Sequence, residues 1–241
     1  MFSRSRYDDH LSRKFFHLTS GSVVAYLFVS TLSRTQSMLL MAVIGSAFLI
    51  VDLLRLKVPA LNRLCLRFFR PLMREDEDHK PSAQLYYVIG MGWAIFALPK
   101  PIAIHAILCL AWMDPIAAIY GLRFGQNSWS KVFEKLFPNS TTGLPAQVAQ
   151  KTLEGSFAGF AAAFFAGVVA WTGPWAATIV EGNAQWISPL SIFALAVIGG
   201  LASVIAEVWP SQWDDNASIP FWVGLCVWAL ASILGIPLSY L

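Results

Sequence analysis

Long apolar segments alternate with short polar ones along the whole chain of 241 residues. Six of them have the roughly 17 to 25 residues that a helix needs to cross a bilayer. Another one is shorter and carries two glycines, so a short or tilted span is expected there. The segments are 15–32, 38–54, 83–99, 101–120, 156–178, 188–208 and 219–239. The pattern predicts an all-α integral membrane protein with about seven transmembrane helices, forming a single domain over residues 1–241.

The basic residues test this topology, because cytoplasmic loops carry an excess of Lys and Arg. With seven spans, only Arg34 and Lys100 of the 17 basic residues lie on one side of the membrane. The larger set, on the other side, comprises Arg4, Arg6, Arg13, Lys14, Arg55, Lys57, Arg63, Arg67, Arg70, Arg74, Lys80, Arg123, Lys131, Lys135 and Lys151. Omitting the third span would put basic loops on both sides. A cytoplasmic N-terminus and an external C-terminus are therefore predicted.

Composition supports the membrane class. Apolar residues make up 56% of the chain and charged residues only 13%, with 10 Trp and 17 Phe, which is rare in a soluble domain. Cys65, Cys109 and Cys226 lie far apart, which argues against a disulfide framework or a zinc site. The small net charge of +3 gives no indication of a nucleic-acid partner. The lack of a targeting extension before the first span favours a bacterial inner membrane over an organelle.

Asp114 is the least expected polar residue, because it lies inside a predicted span. An ionised carboxylate there costs about 2.5–3.5 kcal/mol, so it needs a partner, a cavity or a cation. Pro115 removes one backbone hydrogen bond and frees a carbonyl. Ala117, Ala118 and Gly121 make the same helix face small, which lets a helix or a ligand come close. We expect a functional role for Asp114.

Other polar residues fall on the same predicted side. Arg13 and Lys14 either set the topology or bind an anion, and the spacing places His17 on their side of the helix. Asp52 and Arg55 are three residues apart and are compatible with an ion pair on the surface of a helix. The run 74–78 is predicted to be a solvated loop. The alternative is that Arg74 or Glu75 reaches the site.

Residues 151–156 open the fifth apolar segment with the sequence KTLEGS. A helix start offers free amide groups and a positive dipole, both of which favour phosphate. Gly155 keeps that end narrow, and Lys151 lies just outside it. The dipole alone would tolerate Glu154, but a carboxylate beside a phosphate-binding lysine also suits a divalent cation between acid and phosphate.

Residues 214–216 precede the last apolar segment with two acids and an amide. They could form only a helix start, with Ser218 as the N-cap and Pro220 in the first turn. Oxygen-rich clusters of this kind also suit Mg²⁺, which shares its ligands between carboxylates, water and phosphate. The sequence therefore predicts a polyphosphate–magnesium site at the membrane surface. Its candidate metal ligands are Asp114, Glu154, Glu207, Asp214 and Asp215.

Four segments resemble the CTP-dependent polyprenol and lipid kinases, a membrane family that includes dolichol kinase, phytol kinase and CTP-using diacylglycerol kinase. The segments are RKFFH at 13–17, DPIAAIYG at 114–121, KTLEGS at 151–156 and DDNASIP at 214–220. The resemblance covers nearly the whole chain, although Met113 stands where the family usually has Gly. It implies phosphoryl transfer from CTP to the hydroxyl of a membrane lipid alcohol: a polyprenol, phytol or diacylglycerol.

On this resemblance, Asp114, Lys151 and Glu154 are the candidate catalytic residues. The candidate nucleotide and phosphate ligands are Arg13, Lys14, His17, Gly121, Lys151, Gly155, Ser156 and Asn216. Mg²⁺ would bridge the CTP phosphates and the carboxylates, and Asp114 would accept the proton of the lipid hydroxyl. The implied partners are CTP, the lipid alcohol and the bilayer.

Two other functions fit parts of the pattern. A cytidylyltransferase would use the same site to form a CDP-lipid, but its long signature with Pro-Gly-His-Gly-Gly and Asp-Arg elements is absent. A lipid or ion-coupled transporter would use Asp114 within the membrane. It would also need polar residues across the external half, where His105 stands nearly alone. The sequence does not distinguish between the lipid alcohols.

Overall fold

A computed structural model describes residues 4–138, 146–149, 151–172, 187–209, 213–236 and 238. Within these ranges the regular elements are helical, and one isolated bridge pairs Ser128 with Thr152. The α-helices are α1 (Arg4–Ser30), α2 (Arg34–Lys57), α3 (Pro59–Phe69), α4 (Ala83–Ala97), α5 (Lys100–Phe124), α6 (Trp129–Leu136), α7 (Ala146–Ala149), α8 (Leu153–Thr172), α9 (Pro189–Val208) and α10 (Asp215–Ile233). Two 3₁₀ turns, Arg70–Leu72 and Glu75–Asp78, lie between α3 and α4.

Five of these helices are long and apolar enough to cross a membrane: α2, α5, α8, α9 and α10. The predicted first and third spans correspond to α1 and α4. Helix α1 has 27 residues and is not among the five, and α4 is apolar but has only 15 residues. Residues 173–178, 237 and 239 of the predicted spans lie outside the described residues. The all-helical membrane class is confirmed, while seven spans and their orientation stay a prediction.

Local capping fixes two helix starts. Ser33 caps α2 with a capping box, in which its hydroxyl accepts from the Gln36 amide and the Gln36 side chain accepts from the Ser33 amide. Helix α10 begins earlier than predicted, because the Asp214 carboxylate accepts from the Asn216 amide at 3.0 Å and caps the helix. The prediction of Ser218 as the cap was therefore wrong, and Pro220 lies inside the helix.

Helix α5 is the centre of the bundle, packed by α1, α4, α8, α9 and α10. Its side chains from Ile102 to Leu110 are almost wholly buried. Among the described residues, the ion pairs that link different helices lie at one end of this bundle. This end holds the first half of α1, the ends of α2 and α9, the starts of α4, α8 and α10, and the second half of α5. These seven helices therefore alternate in direction, as consecutive spans do.

Helices α5 and α8 approach each other closely through small residues. A methyl group added at Gly155 would lie 2.7 Å from the Ala117 carbonyl oxygen and 3.2 Å from the Gly121 Cα. The small face that the sequence predicted on α5 therefore receives a neighbouring helix. This contact fixes the start of α8, with Lys151 just before it, beside the half of α5 that carries Asp114.

We expect Gly155→Ala to destabilise the protein by about 1–3 kcal/mol, because the added methyl group forces two backbones apart. Thermal unfolding in detergent, followed by tryptophan fluorescence, should show a lower Tm. Gly45→Ala is the matched control, since its methyl group would meet only the Val88 side chain at an ordinary 3.4 Å. Equal Tm values for the two variants would contradict the close packing of α5 and α8.

Candidate active site

Asp114 forms a buried ion pair with a residue 100 positions away. The Lys14 ammonium lies 2.6 Å from both carboxylate oxygens, and both side chains are less than 10% exposed. Helix α1 delivers Lys14 to the second half of α5, and this supplies the partner that a carboxylate in a span requires.

His17 lies next to this ion pair. Its Nδ1 is 3.7 Å from an Asp114 oxygen, which is too long for a hydrogen bond. The ring stacks on Tyr87 with centroids 4.3 Å apart, and the Tyr87 hydroxyl donates to the His17 carbonyl. Within the described part of the chain, neither ring nitrogen of this 1%-exposed histidine has a hydrogen-bond partner. A buried polar group without a partner is uncommon and is typical of a site completed by a ligand.

A second group of charges surrounds the start of α10. Arg74 donates from two different nitrogens, one to Asp214 and one to Asp215, each at 2.9 Å. The Lys151 ammonium lies 3.4 Å from Asp215 and 3.6 Å from Glu207, and donates to the Glu207 carbonyl at 2.7 Å. Arg74 was predicted to lie in a solvated loop, with a place at the site as the alternative, and the structure places its guanidinium directly on the acidic pair.

The two groups form a single electrostatic unit. Burial alone would lower the pKa of Lys151, but Glu207, Asp215 and Asp114 outweigh it and raise the pKa. Burial likewise opposes the rise in the pKa of Arg74, which Asp215, Asp214 and, more weakly, Asp114 bring about. The charge of Asp114 therefore reaches both cations beside the acidic pair. We call this unit the charged cluster: Arg13, Lys14, Arg74, Asp114, Lys151, Glu207, Asp214 and Asp215.

Two members of the charged cluster have notable surroundings. Arg13 is only 9% exposed and feels the charges of Asp114, Glu77 and Asp215, as well as repulsion from Arg74. Burial, together with the adjacent Asp215 carboxylate, raises the pKa of Asp214 to about 7. The carboxylates of Asp214 and Asp215 therefore repel each other when both are ionised, and nearby cations stabilise them.

A buried brace holds the segment that carries Arg74. Asp52 and Arg55 form the ion pair that their spacing suggested, but they are only 3% and 2% exposed, so the pair is buried and not on the surface. Arg55 donates to the carbonyls of Glu77 and Lys80, and Asp52 accepts from the backbone and side chain of Ser82. The run 74–78 is thus not simply a solvated loop. Of its acids, Glu75 and Asp76 have side chains outside the described ones.

Glu154 stands apart from the acidic pair in the described structure. Its carboxylate accepts from the amides of Gln126 and Asn127 at 3.1 and 3.3 Å and from the Asn127 side chain at 2.7 Å. These contacts hold the turn between α5 and α6, and they fit a structural role for this carboxylate. A direct part in catalysis or in metal binding stays a prediction.

The remaining predicted residues lie in two places: Ser156, Gly121 and Gly155 near this turn, and Asn216 at the start of α10. The Ser156 hydroxyl accepts from the Trp129 indole at 2.8 Å, and Gly121 and Gly155 lie in the contact between α5 and α8. Asn216 is only 1% exposed, and its amide nitrogen donates to the Ala83 carbonyl. Of the predicted nucleotide ligands, the structure therefore brings Arg13, Lys14, His17, Lys151 and Asn216 to the charged cluster or its edge.

The predicted metal ligands do not form a complete metal site by themselves. Among the described residues, no three His, Cys, Asp or Glu side chains are grouped so that they could hold a metal ion by themselves. However, two buried side-chain oxygens, Glu207 Oε2 and Asn216 Oδ1, have no hydrogen-bond partner among the described residues. These atoms and the acidic pair fit a cation whose other ligands come from a phosphate.

Curated relatives include three proteins that carry the name CTP-dependent diacylglycerol kinase 1. The one from Saccharomyces cerevisiae is 27% identical over 221 residues, which are 87% of this chain and 69% of the relative. The one from Eremothecium gossypii is 27% identical over 219 residues, 86% of this chain and 63% of the relative. The one from Schizosaccharomyces pombe is 31% identical over 173 residues, 70% of this chain and 69% of the relative.

Neither a family model nor a solved structure matches the chain. The three relatives nevertheless cover most of the chain, and the S. pombe protein passes 30% identity over more than two thirds of its own length. The chain therefore belongs to the CTP-dependent lipid kinase family.

Proposed function

We propose that this protein transfers the γ-phosphate of CTP to the hydroxyl of a membrane lipid alcohol, and that diacylglycerol is the alcohol it uses. The charged cluster is the observation that carries the proposal. It gathers four cations on a bundle of apolar helices, which matches a polyanionic donor and a lipid acceptor. The names of the relatives favour diacylglycerol over polyprenol and phytol.

The cations of the cluster would bind the triphosphate and stabilise its reaction. Phosphoryl transfer passes through a loose transition state in which charge collects on the transferred group and the leaving oxygen. Lys151 is 19% exposed and Arg74 is 21% exposed, so both are reachable by a nucleotide. Arg13 and Lys14 lie deeper and would neutralise charge on the phosphate nearest the lipid.

Asp114 would act on the lipid hydroxyl. The hydroxyl oxygen of the lipid forms a bond to the γ-phosphorus of CTP. The bond between this phosphorus and the β,γ-bridging oxygen breaks, and CDP leaves with that oxygen. The hydroxyl proton passes to a carboxylate oxygen of Asp114, which Lys14 holds in place. The unpartnered His17 ring beside it is placed to hydrogen-bond the incoming hydroxyl or phosphate.

Asp214, Asp215 and Glu207 would hold a magnesium ion together with phosphate oxygens. When bound, the ion neutralises phosphate charge and fixes the geometry of the triphosphate. Asn216 contributes a buried amide oxygen to the same region.

We further propose seven spans, with α1 and α4 completing the five apolar helices, and a cytoplasmic N-terminus. The basic loops support this orientation. It places the charged cluster on the cytoplasmic side, where the nucleotide is found. Residence in a bacterial inner membrane is part of the same proposal and rests on the sequence alone.

Labelled nucleotide tests the reaction directly. Purified protein in mixed micelles is given diacylglycerol, phytol or polyprenol with Mg²⁺ and either γ-labelled CTP, α-labelled CTP or γ-labelled ATP. We expect label in the lipid only from γ-labelled CTP, and most of it with diacylglycerol. With phosphatidate as the acceptor, lipid label from α-labelled CTP would instead identify a cytidylyltransferase and overturn the proposal.

A further inference from the structure

Basic side chains lie beside both carboxylates of the acidic pair at the start of α10. Asp214 uses one oxygen to accept from the Asn216 amide and the other to accept from Arg74. Asp215 uses one oxygen for Arg74 and the other for Lys151. All four oxygens of the pair therefore have a partner, and a divalent cation that binds both carboxylates must compete with the basic side chains beside them.

Arg74 is the basic side chain that spans the pair. Its planar guanidinium bonds both carboxylates at 2.9 Å, one from each terminal nitrogen. This places a positive charge between the two acids, where a bound divalent cation would also lie. The same fork geometry matches two oxygens of a phosphate, so a nucleotide offers Arg74 an alternative partner.

The segment around Arg74 lets the side chain move while the backbone stays in place. Arg55 holds the carbonyls of Glu77 and Lys80 at 2.8 and 2.6 Å, and Asn62 donates to the Asp78 carbonyl at 3.0 Å. The Arg74 side chain itself is 21% exposed, so it faces the opening of the cluster. An exchange of partner therefore needs a change of rotamer and no rearrangement of the loop.

We propose that Arg74 is a counter-ion switch that couples nucleotide binding to cation binding. In the free protein it occupies the acidic pair and keeps a divalent cation out. When the triphosphate arrives, Arg74 transfers to phosphate oxygens and releases Asp214 and Asp215 for the cation. Each ligand thereby strengthens the binding of the other by the same factor. The inference rests on the proposed use of CTP but does not require transfer to a lipid.

Binding of Mn²⁺ tests the switch without turnover. The paramagnetic resonance signal of free Mn²⁺ is measured as purified protein is titrated in detergent, with and without CTP and with no lipid acceptor present. Wild-type protein should bind Mn²⁺ weakly alone and about tenfold more tightly with CTP. Arg74→Gln should bind Mn²⁺ about tenfold more tightly than wild type without CTP, and CTP should add little further.

Three variants make the result specific. Arg70→Gln is the matched control, because Arg70 pairs with Asp78 on the same segment and is 41% exposed, so it should behave as wild type. Arg74→Lys keeps the charge but loses the fork, and should give an intermediate affinity. Asp215→Asn added to Arg74→Gln should abolish the gain, which would assign the bound Mn²⁺ to the acidic pair.

Several results would overturn the switch. They are equal Mn²⁺ affinity of wild type and Arg74→Gln without CTP, undiminished tightening by CTP in Arg74→Gln, and a gain that survives Asp215→Asn. Failure of γ-phosphate transfer in the labelling assay, with the expected Mn²⁺ behaviour, would instead remove the proposed reaction and leave the switch standing. The two ideas therefore fail separately.

Discussion

Asp114→Asn should lower the rate of phosphate transfer from CTP to diacylglycerol by about 10³-fold, the size of effect expected when a positioned general base is removed. The change also leaves the Lys14 ammonium, only 9% exposed, without its carboxylate. Breaking one partner of a buried pair costs about 3–5 kcal/mol, so a lower Tm is expected as well. Initial rates with γ-labelled CTP and thermal unfolding in detergent measure the two effects.

A double variant separates catalysis from stability. Asp114→Leu combined with Lys14→Met removes both charges and fills similar space, which is often neutral for a buried ion pair. We expect this variant to regain much of the lost Tm and to remain inactive. Recovery of activity together with stability would show that the pair only supports the fold, and would contradict the role given to Asp114.

Lys151→Gln is expected to have the second-largest effect, a fall in kcat/KM for CTP of about 10² to 10³. Its ammonium lies 3.6 Å from Glu207 and 3.4 Å from Asp215, and the change removes a cation that contacts both acids. Because the lysine is expected to bind the triphosphate in the ground state and to bind it more strongly in the transition state, KM for CTP should rise while kcat falls. The KM for diacylglycerol should change little.

The control for this substitution is Lys135→Gln on α6. Lys135 is exposed and forms no described contact with the charged cluster. Lys135→Gln removes one positive charge from the same side of the protein, so this variant measures any general loss of electrostatic attraction for CTP. Equal effects of the two substitutions would mean that net charge, and not the position of Lys151, is what matters.

Much of the bundle follows from residue pattern alone. Apolar segments of sufficient length predicted α2, α5, α8, α9 and α10, because the length of a span is set by bilayer thickness. The small face around Gly121 correctly indicated a close helix contact. The start of α10 was misplaced, because the Asp214 carboxylate caps the helix four residues before the predicted cap at Ser218.

The site was predictable as a set of residues but not as a set of contacts. A carboxylate in a span implied a partner for Asp114, yet only the packing of α1 against α5 identifies it as Lys14. The sequence could not show that Glu154 lies apart from the acidic pair. Its carboxylate binds the turn at 126–127, which only the tertiary structure places beside it.

Arg74 is the opposite case, a residue that the sequence placed in a loop and that the structure places in the charged cluster. Its neighbours in the sequence are acidic and polar, which is typical of a solvated loop. The loop is held by Asp52 and Arg55, whose spacing is equally typical of an ordinary surface pair. Their burial, which no local pattern reveals, turns this loop into part of the charged cluster.

In the proposed function, separate segments of the chain bind one nucleotide together. Hydrogen–deuterium exchange of the detergent-purified protein, measured across a titration with CTP and Mg²⁺, distinguishes such a shared site from separate ones. We predict that peptides containing Arg74, Lys151 and Asp214 become protected together, with half-protection at the same CTP concentration. Protection of only one of these segments, or half-protection at clearly different concentrations, would contradict a single shared site.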